Sequence, residues 1–337
     1  MAKRKGQTIE ITEEQSNEEV VKAIENFGGK IAESLQSLNP AKFISTGMLS
    51  LDRAISKTKG IPGNCCIEVY GQNSTGKTSF ALQCASYAQA AGFSVYYINA
   101  ENAINEDVIN CFPLLNGNNV KWIDVPTGEK ALDIMLYILK TQPNSFIIND
   151  SVPACLPSQV QENSSGEVTV GALARLFSPF MPQAKKYCKL NNSVLLQLNQ
   201  IRHKIGPMTR GGEDTPGGES IKFYSDLRIQ LKRRYPNPEI KVGGELVGHY
   251  VAATVVKTRF NAPFWTAEIP LIYGAGFDEY RELLDYGASV GVIKLSGSWV
   301  YYNEQKLGQG IENSCSTLRQ DSELKEKIKK EILEIIS

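Results

Sequence analysis

Gly71-Gln72-Asn73-Ser74-Thr75-Gly76-Lys77-Thr78 follows the apolar run Ile67-Glu68-Val69-Tyr70 and precedes a helix-compatible stretch, Ser79 through Ala91. Strand, glycine-rich turn and helix is the context of a phosphate-binding loop. Gly71 and Gly76 let the backbone curl so that successive N–H groups face one concavity, and the helix N-terminus adds its positive dipole. Lys77 is placed to reach the β and γ phosphates, and the Thr78 hydroxyl to complete the shell of a magnesium ion. Gln72, Asn73, Ser74, Thr75 and Ser79 make up the rest of the cradle. Glycine-rich turns between strand and helix also occur as plain architecture. Four fixed residues in the correct flanking context favour the other reading, a chain that binds a nucleoside triphosphate.

Composition sets outer limits. The 337 residues can bury a large core and suit one big domain with appendages, or two domains. Hydrophobic content of 42% is that of an ordinary globular protein. No apolar run approaches the length of a membrane span, and MAKRKGQTIEITEEQ at the N-terminus lacks the apolar centre of a signal peptide. Seven cysteines without CxxC spacing argue against a disulfide framework and against a zinc site. Cys65 and Cys66 are neighbours on an expected strand, so their side chains should point to opposite faces as small apolar filler. The expected location is the cytoplasm, with no membrane partner.

Lys and Arg together number 36 and so do Asp and Glu, so net charge offers no hint of a polyanionic partner. The distribution differs from the total. Between Ile201 and Phe260 there are eleven basic residues (Arg202, Lys204, Arg210, Lys222, Arg228, Lys232, Arg233, Arg234, Lys241, Lys257, Arg259) against six acidic ones (Glu213, Asp214, Glu219, Asp226, Glu239, Glu245). Many surfaces carry such an excess, so by itself it says little about nucleic acid.

Along the chain, residues 1–42 read as a helical oligomerisation arm. Ser16 and Glu19 suit a capping box, and Val20, Ile24, Phe27, Ile31, Leu35 and Leu38 recur at helical spacing, with Gly28-Gly29 weakening the middle. Such a face must pack on its own core or on a neighbouring subunit. Residues 43–275 alternate short apolar runs with helical patterns, as a mainly parallel α/β sheet requires. Its expected strands are Cys66–Tyr70, Ser94–Asn99, Trp122–Asp124, Ser145–Asp150, Val194–Asn199, Leu227–Lys232 and Tyr250–Lys257. Residues 276–337 form a small α+β module ending in a helix with Leu324, Ile328, Ile332 and Ile336 on one face.

Further residues give the loop a reaction. Phe146-Ile147-Ile148-Asn149-Asp150 is a buried strand ending in a carboxylate, which fits a residue bonding the magnesium shell from the side opposite Thr78. The plainer alternative is a strand-terminal cap. Glu101 lies just beyond the strand ending at Asn99, on the ligand side of an open α/β sheet, where it can orient or deprotonate an attacking water. Leu196-Gln197-Leu198-Asn199-Gln200 should also end at the γ phosphate, and it runs into a basic stretch rich in glycine and proline, 201–216. That stretch is long for a connector and suggests a binding loop whose order the amide of Gln200 could govern. A disordered surface loop is the bland reading of the same composition.

GQNSTGKT, INAENA, IINDSV, LNQIRHKIG, PGGESIKFY, VVKTRFNAPF and LGQG stand in the order and spacing of bacterial RecA recombinases, which the chain resembles from about Phe43 to Gly310. The resemblance implies a RecA-like P-loop ATPase core, an N-terminal arm docking on the next protomer and a small C-terminal domain. It also implies ATP and Mg2+ as cofactors. The expected assembly is a helical filament on single-stranded DNA that pairs with homologous duplex DNA and exchanges strands. Single-stranded-DNA-binding protein, loading mediators and a self-cleaving repressor are the partners to expect.

Carried across position by position, the resemblance makes Lys77 and Thr78 the phosphate and magnesium residues, Asp150 a second metal residue, Glu101 the catalytic base and Gln200 the γ-phosphate sensor. Lys257 and Arg259 match a lysine pair that reaches the neighbour's ATP; arginine binds two oxygens in a fork where lysine is a point charge. Lys222 and Phe223 match interface positions. Arg175, Arg202, Lys204, Gly217 and Gly218 match positions on or beside two DNA-binding loops, the first spanning roughly Glu162 to Val170. Asn73 stands where a glutamate is usual, Asn105 for an aspartate and Val108 for a tyrosine near the adenine. Pro182 replaces an arginine, Thr209 an aromatic and Glu219 an amide near the DNA. The chain ends at Ser337 without the acidic tail of many members. Such divergence suits a phage or mobile-element member, working in the host cytoplasm.

Two function classes follow, an ATP-hydrolysing recombinase and an ATP-gated scaffold that presents a filament to partners. Glu101, Asp150 and Gln200 favour the first, because a scaffold need not keep a water-activating acid. A hexameric helicase motor on the same core is disfavoured by the arm and the C-terminal module.

Overall fold

A computed structural model of the chain describes residues 20–22, 24, 26, 42–57, 59–112, 114–158, 171–203 and 213–336. The chain divides into Met1–Pro40 and Ala41–Ser337. In the first unit the described residues 20–22, 24 and 26 are helical, with Val20 and Val21 exposed. The expected capping box and the rest of the arm's apolar face lie outside the described residues, as does the expected first loop at 162–170.

The second unit opens with β1 (Phe43–Ile44), α1 (Leu49–Ser56) and β2 (Ile61–Pro62). Then come β3 (Cys66–Gly71), α2 (Lys77–Ala90), β4 (Ser94–Asn99), α3 (Glu106–Asn110), β5 (Lys121–Ile123), α4 (Gly128–Thr141), β6 (Ser145–Asp150), α5 (Ala172–Leu190) and β7 (Val194–Gln200). A two-residue ladder, β8 (Arg202–His203) on β9 (Glu213–Asp214), closes the root of the second loop. After it come α6 (Glu219–Tyr224), β10 (Leu227–Arg233), β11 (Glu239–Val242), β12 (Glu245–Lys257), β13 (Trp265–Ile272) and β14 (Gly276–Phe277).

One ten-stranded sheet runs in the order β14-β13-β12-β10-β3-β7-β6-β4-β5, with β11 paired to β12. From β10 to β5 every pairing is parallel; β11, β12, β13 and β14 add an antiparallel flank. The parallel strands match the expected ones to within a residue or two at each end. β13 is a difference, since Trp265-Thr266-Ala267-Glu268-Ile269-Pro270 reads poorly as a strand. It pairs only with β12 and β14, on the flank of the sheet where a proline is tolerated.

Both faces of the parallel region are covered, which is why β3 and β6 are buried along their whole length, the polar Glu68, Ser145, Asn149 and Asp150 included. One face packs on α2 through Phe80, Leu82 and Ala85; the other packs on α4 and α5 through Met135, Phe177 and Met181. Cys65 falls in the first cluster and Cys66 in the second, on opposite faces as their adjacency requires. α5 runs through both Pro179 and Pro182.

The C-terminal module holds α7 (Glu279–Ser289), the meander β15 (Ile293–Ser296), β16 (Trp299–Tyr302) and β17 (Gln305–Gln309), then α8 (Gly310–Gln320) and α9 (Ser322–Ile336). Leu324, Ile328, Ile332 and Ile336 of α9 are buried in its core, together with Leu49 of α1. No helix among the described residues is long and apolar enough to cross a membrane.

Candidate active site

The phosphate-binding loop leaves β3 at Gly71 and enters α2 at Lys77. Gly76 has φ +84, and a Cβ there would stand 2.9 Å from Leu271 Cδ2, so both backbone and space require glycine. Gln72, Asn73, Ser74 and Thr75 form the turn, closed by Thr75 Oγ1 donating to Gln72 O at 2.8 Å, and Ser79 lies in the first turn of α2. Lys77 Nζ folds back on the loop, donating to Gly71 O at 3.2 Å and Gln72 O at 2.8 Å. Burial lowers the pKa of this amine, while Glu101 and Asp150 pull it the other way.

Parallel pairing brings the acids to that loop. β4 and β6 are in register with Asn99 opposite Asp150, so Glu101, two residues past the end of β4, lies beside the end of β6. Its N–H donates to Asp150 O at 2.9 Å. Asp150 Oδ2 accepts from Thr78 Oγ1 at 3.1 Å and from the Tyr97 hydroxyl at 2.5 Å. Burial raises the Asp150 pKa, the Tyr97 bond lowers it, and the nearby Glu101 raises it. Glu101 Oε1 accepts from the Ser151 hydroxyl and, at 3.3 Å, from Gln200 Nε2. Lys77, Thr78, Glu101, Asp150 and Gln200 thus share one cleft of about 460 Å³, walled on the far side by His249, Leu271 and Tyr273.

Tyr97 and Ser151 were not legible as site residues. Ser151 is flagged only by following Asp150, and Tyr97 only by lying two positions before the end of β4, on the same face as Asn99. Among the described residues no group of three or more His, Cys, Asp or Glu could hold a metal by itself. The adjacent oxygens of Thr78 and Asp150 fit a hard cation such as magnesium, which keeps most of its shell for water and phosphate.

The site continues into the second loop through Asn199. Its Nδ2 donates to the buried Glu68 at 2.9 Å and to Pro216 O at 2.9 Å, and Glu68 is in turn held by Arg228 Nε at 2.6 Å. Gly217 and Gly218 both have positive φ, and a Cβ on Gly218 would approach Ala174 Cβ to 2.7 Å. The far end of the second loop therefore packs on the first turn of α5, which carries the exposed Arg175. Arg202 is exposed on β8; Lys204 and Thr209 lie outside the described residues.

Lys257 and Arg259 are not in this cleft. Lys257 is paired with Arg228 and so lies level with Glu68, three residues or about 10 Å below Gly71 along the strands. Its Nζ donates to Lys222 O at 2.7 Å and Phe223 O at 2.8 Å. Arg259 Nε pairs with Asp226 at 3.2 Å, a carboxylate that also holds Lys185. Lys222 joins Asp214 at 2.5 Å and Glu219 at 2.7 Å; burial would lower its pKa, and these two acids raise it overall. Phe223 stands 68% exposed beside it. Asn105 is absorbed locally, its side chain accepting from Val108 N at 3.0 Å to cap α3.

Comparison with known proteins gives the family. Residues 15–278 match the RecA N-terminal domain and residues 281–337 the RecA C-terminal domain. Protein RecA of Sulfurovum sp. (strain NBC37-1) is 36% identical over 303 residues, covering 89% of this chain and 86% of that protein. Protein RecA of Aquifex pyrophilus is 36% identical over 292 residues, 87% and 82% of the two chains. Protein RecA of Listeria monocytogenes serotype 4a (strain HCC23) is 34% identical over 291 residues, 86% and 82%. The chain belongs to the RecA family of DNA recombinases, ATP-dependent enzymes of recombination and repair whose filaments hydrolyse ATP on DNA.

Proposed function

We propose that this chain hydrolyses ATP with Glu101 as the base and couples the result to its second DNA loop through Gln200 and Asn199. The convergence of Lys77, Thr78, Asp150, Glu101 and Gln200 on one cleft carries this reading. Lys77 exchanges two loop carbonyls for phosphate oxygens, and the loop's N–H groups supply the rest of the cradle. Thr78 and Asp150 hold Mg2+, which neutralises charge on the phosphates. Glu101, steadied by Ser151, accepts the proton of the attacking water.

Gln200 has two alternative acceptors, the Glu101 carboxylate and a γ-phosphate oxygen. Turning to phosphate frees Glu101 for water and shifts the end of β7. Asn199, bonded to Pro216 O, passes that shift to the loop that carries Arg202 and Lys204 and to Gly217 and Gly218 beside it. Arg175 supports the same DNA face from α5. Lys257 and Arg259 leave their intramolecular partners and reach the ATP of the adjacent protomer, with Lys222 and Phe223 between the two subunits. Single-stranded-DNA-binding protein, loading mediators and a self-cleaving repressor are the partners such a filament would meet in the cytoplasm.

Strand exchange between a circular single strand and a homologous linear duplex, run with ATP and with a non-hydrolysable analogue, tests the reading. Pairing with both and full-length exchange with ATP alone is the expected result. No pairing with either, alongside repressor cleavage, would make the chain an ATP-gated scaffold instead.

A further inference from the structure

Both ends of α1 are held by side chains from far along the chain. A helix leaves its first N–H groups and last carbonyls without partners inside the helix, and Met48 at its N-cap has no side-chain acceptor to offer. Glu282 of α7 takes that role from 233 positions away. Its Oε2 accepts from Leu49 N at 3.1 Å and its Oε1 from Ser50 N at 2.8 Å. A carboxylate there also meets the positive end of the helix dipole. The Leu49 side chain is buried in the core of the C-terminal module, and Arg53 Nη1 donates to the Tyr286 hydroxyl at 2.9 Å. These contacts tie α1 to the C-terminal module, while Met48, Leu51, Ala54 and Ile55 bury another face of it in the core of the main sheet.

Its other end is held by a different segment. Thr258 Oγ1 donates to Ile55 O at 3.0 Å, and Asn261 Nδ2 donates to Arg53 O at 2.8 Å. The same two side chains fold their own segment, since Thr258 Oγ1 accepts from Phe260 N at 3.1 Å and Asn261 Oδ1 from Ala262 N at 2.9 Å. Thr258 lies between Lys257 and Arg259. Eight helical residues, about 12 Å, therefore separate a carboxylate of the C-terminal module from the two cations at the sheet's far edge.

We propose that α1 is a strut: Thr258 and Asn261 are positioning residues for Lys257 and Arg259, and Glu282 ties the strut to the C-terminal module, so that this module adjusts hydrolysis in the adjacent protomer. The inference rests on the reading that Lys257 and Arg259 act on the neighbour's ATP. A disturbance at α7 moves α1 along its axis and shifts the Thr258–Asn261 turn, and a cation displaced by an ångström from a transferring phosphoryl group loses much of its effect.

Mixed filaments on single-stranded DNA test it. Glu101→Gln protomers, whose small residual turnover is measured alone and subtracted, are mixed in excess with unaltered protomers, so that nearly every working site meets the edge of a Glu101→Gln neighbour. Adding Thr258→Val with Asn261→Ala to the Glu101→Gln protomers should lower turnover per unaltered protomer about 3- to 10-fold, with KM for ATP and the melting temperature of the variant little changed. Thr258→Ser, which keeps the hydroxyl, should restore most of the Thr258 share. Glu282→Gln in the same background should give a smaller loss, about 2- to 5-fold. A third mixture carries Lys257→Ala with Arg259→Ala in the excess protomers. If that mixture keeps full turnover, the trans reading fails and the strut with it. If it loses turnover while the Thr258, Asn261 and Glu282 variants do not, the strut alone is overturned.

Discussion

The side-chain amide of Gln200 donates to Glu101 Oε1 at 3.3 Å, joining the ends of two strands that lie on either side of β6 in the sheet. The sensor and the base of the proposed reaction thus occupy each other's hydrogen-bonding capacity. A phosphate oxygen that captures the amide removes a donor from the carboxylate, which makes it a better base. Binding and activation become one event. This arrangement also ties Gln200 to the second loop through its neighbour Asn199, bonded to Pro216 O at 2.9 Å.

Gln200→Ala should therefore separate the two functions. ATP affinity should stay within about threefold, since the phosphate cradle is untouched, while DNA-stimulated turnover falls on the order of 100-fold, as expected for losing one aimed donor. Turnover measured with and without single-stranded DNA gives the answer. A variant that still accelerates normally on DNA would remove Gln200 from the coupling route.

Glu101→Gln should leave ATP and DNA binding largely intact and slow hydrolysis at least ~100-fold, the usual contribution of a positioned general base. The amide keeps the size of the carboxylate and can still meet Ser151. Equilibrium nucleotide binding beside steady-state turnover checks this. Lost binding would assign Glu101 a structural role instead.

Asp150, Glu101 and Gln200 were legible because the C-terminal edges of parallel strands meet on one side of a sheet, so each apolar run ending in a polar residue pointed there. Register along β4 and β6 was not legible, and Tyr97, which bonds Asp150, depends on that register. The antiparallel flank carrying His249 and Tyr273 was half visible. β12 showed as an apolar run, but β13, with Pro270 inside it, did not. Links such as Glu282 to Leu49 leave no local signal, because the cap comes from 233 residues away while Met48 looks like an uncapped start. What sequence reports well is periodicity and chain direction; which distant side chain satisfies a helix end is settled by packing.

Stability should depend on pH through two acids near α1. Burial raises the Glu282 carboxyl from 4.5 to about 7 and Asp52 from 3.8 to about 6, against the bonds each accepts and, for Asp52, against the charge of Lys329. Each group binds its proton more tightly in the folded chain than in the unfolded one. Their contribution is therefore complete below about pH 4 and is lost as pH rises through 6 and 7. Between pH 4.5 and 7.5, Glu282→Gln should remove roughly 2–3 kcal/mol of that decline, seen as a flatter plot of Tm against pH. Parallel plots for the two proteins would show that Glu282 titrates normally.

Replacing both Lys257 and Arg259 with alanine tests whether hydrolysis needs a neighbour. Within one chain these cations cannot serve their own phosphate loop, because Lys257 lies level with Glu68 while the loop begins three residues higher, at Gly71. Each is held only by groups that can be exchanged. Lys257 is bonded to two carbonyls at the end of α6, and Arg259, half exposed, shares Asp226 with Lys185. Burial and the nearby Arg259 both lower the pKa of Lys257, so an anion from another subunit would be a welcome third partner. If the pair reaches the neighbour's γ phosphate, turnover per protomer should rise steeply with protein concentration and with single-stranded DNA, which aligns neighbours. The double variant should then bind ATP normally and lose about 10³-fold in DNA-stimulated turnover, the scale of a cation supplied to a phosphoryl transition state from outside. The competing account makes the pair a basic edge that attracts DNA, and it predicts weaker DNA binding with normal turnover once DNA is saturating. Hydrolysis by the double variant at saturating DNA separates the two, and a wild-type rate there would end the trans-acting account.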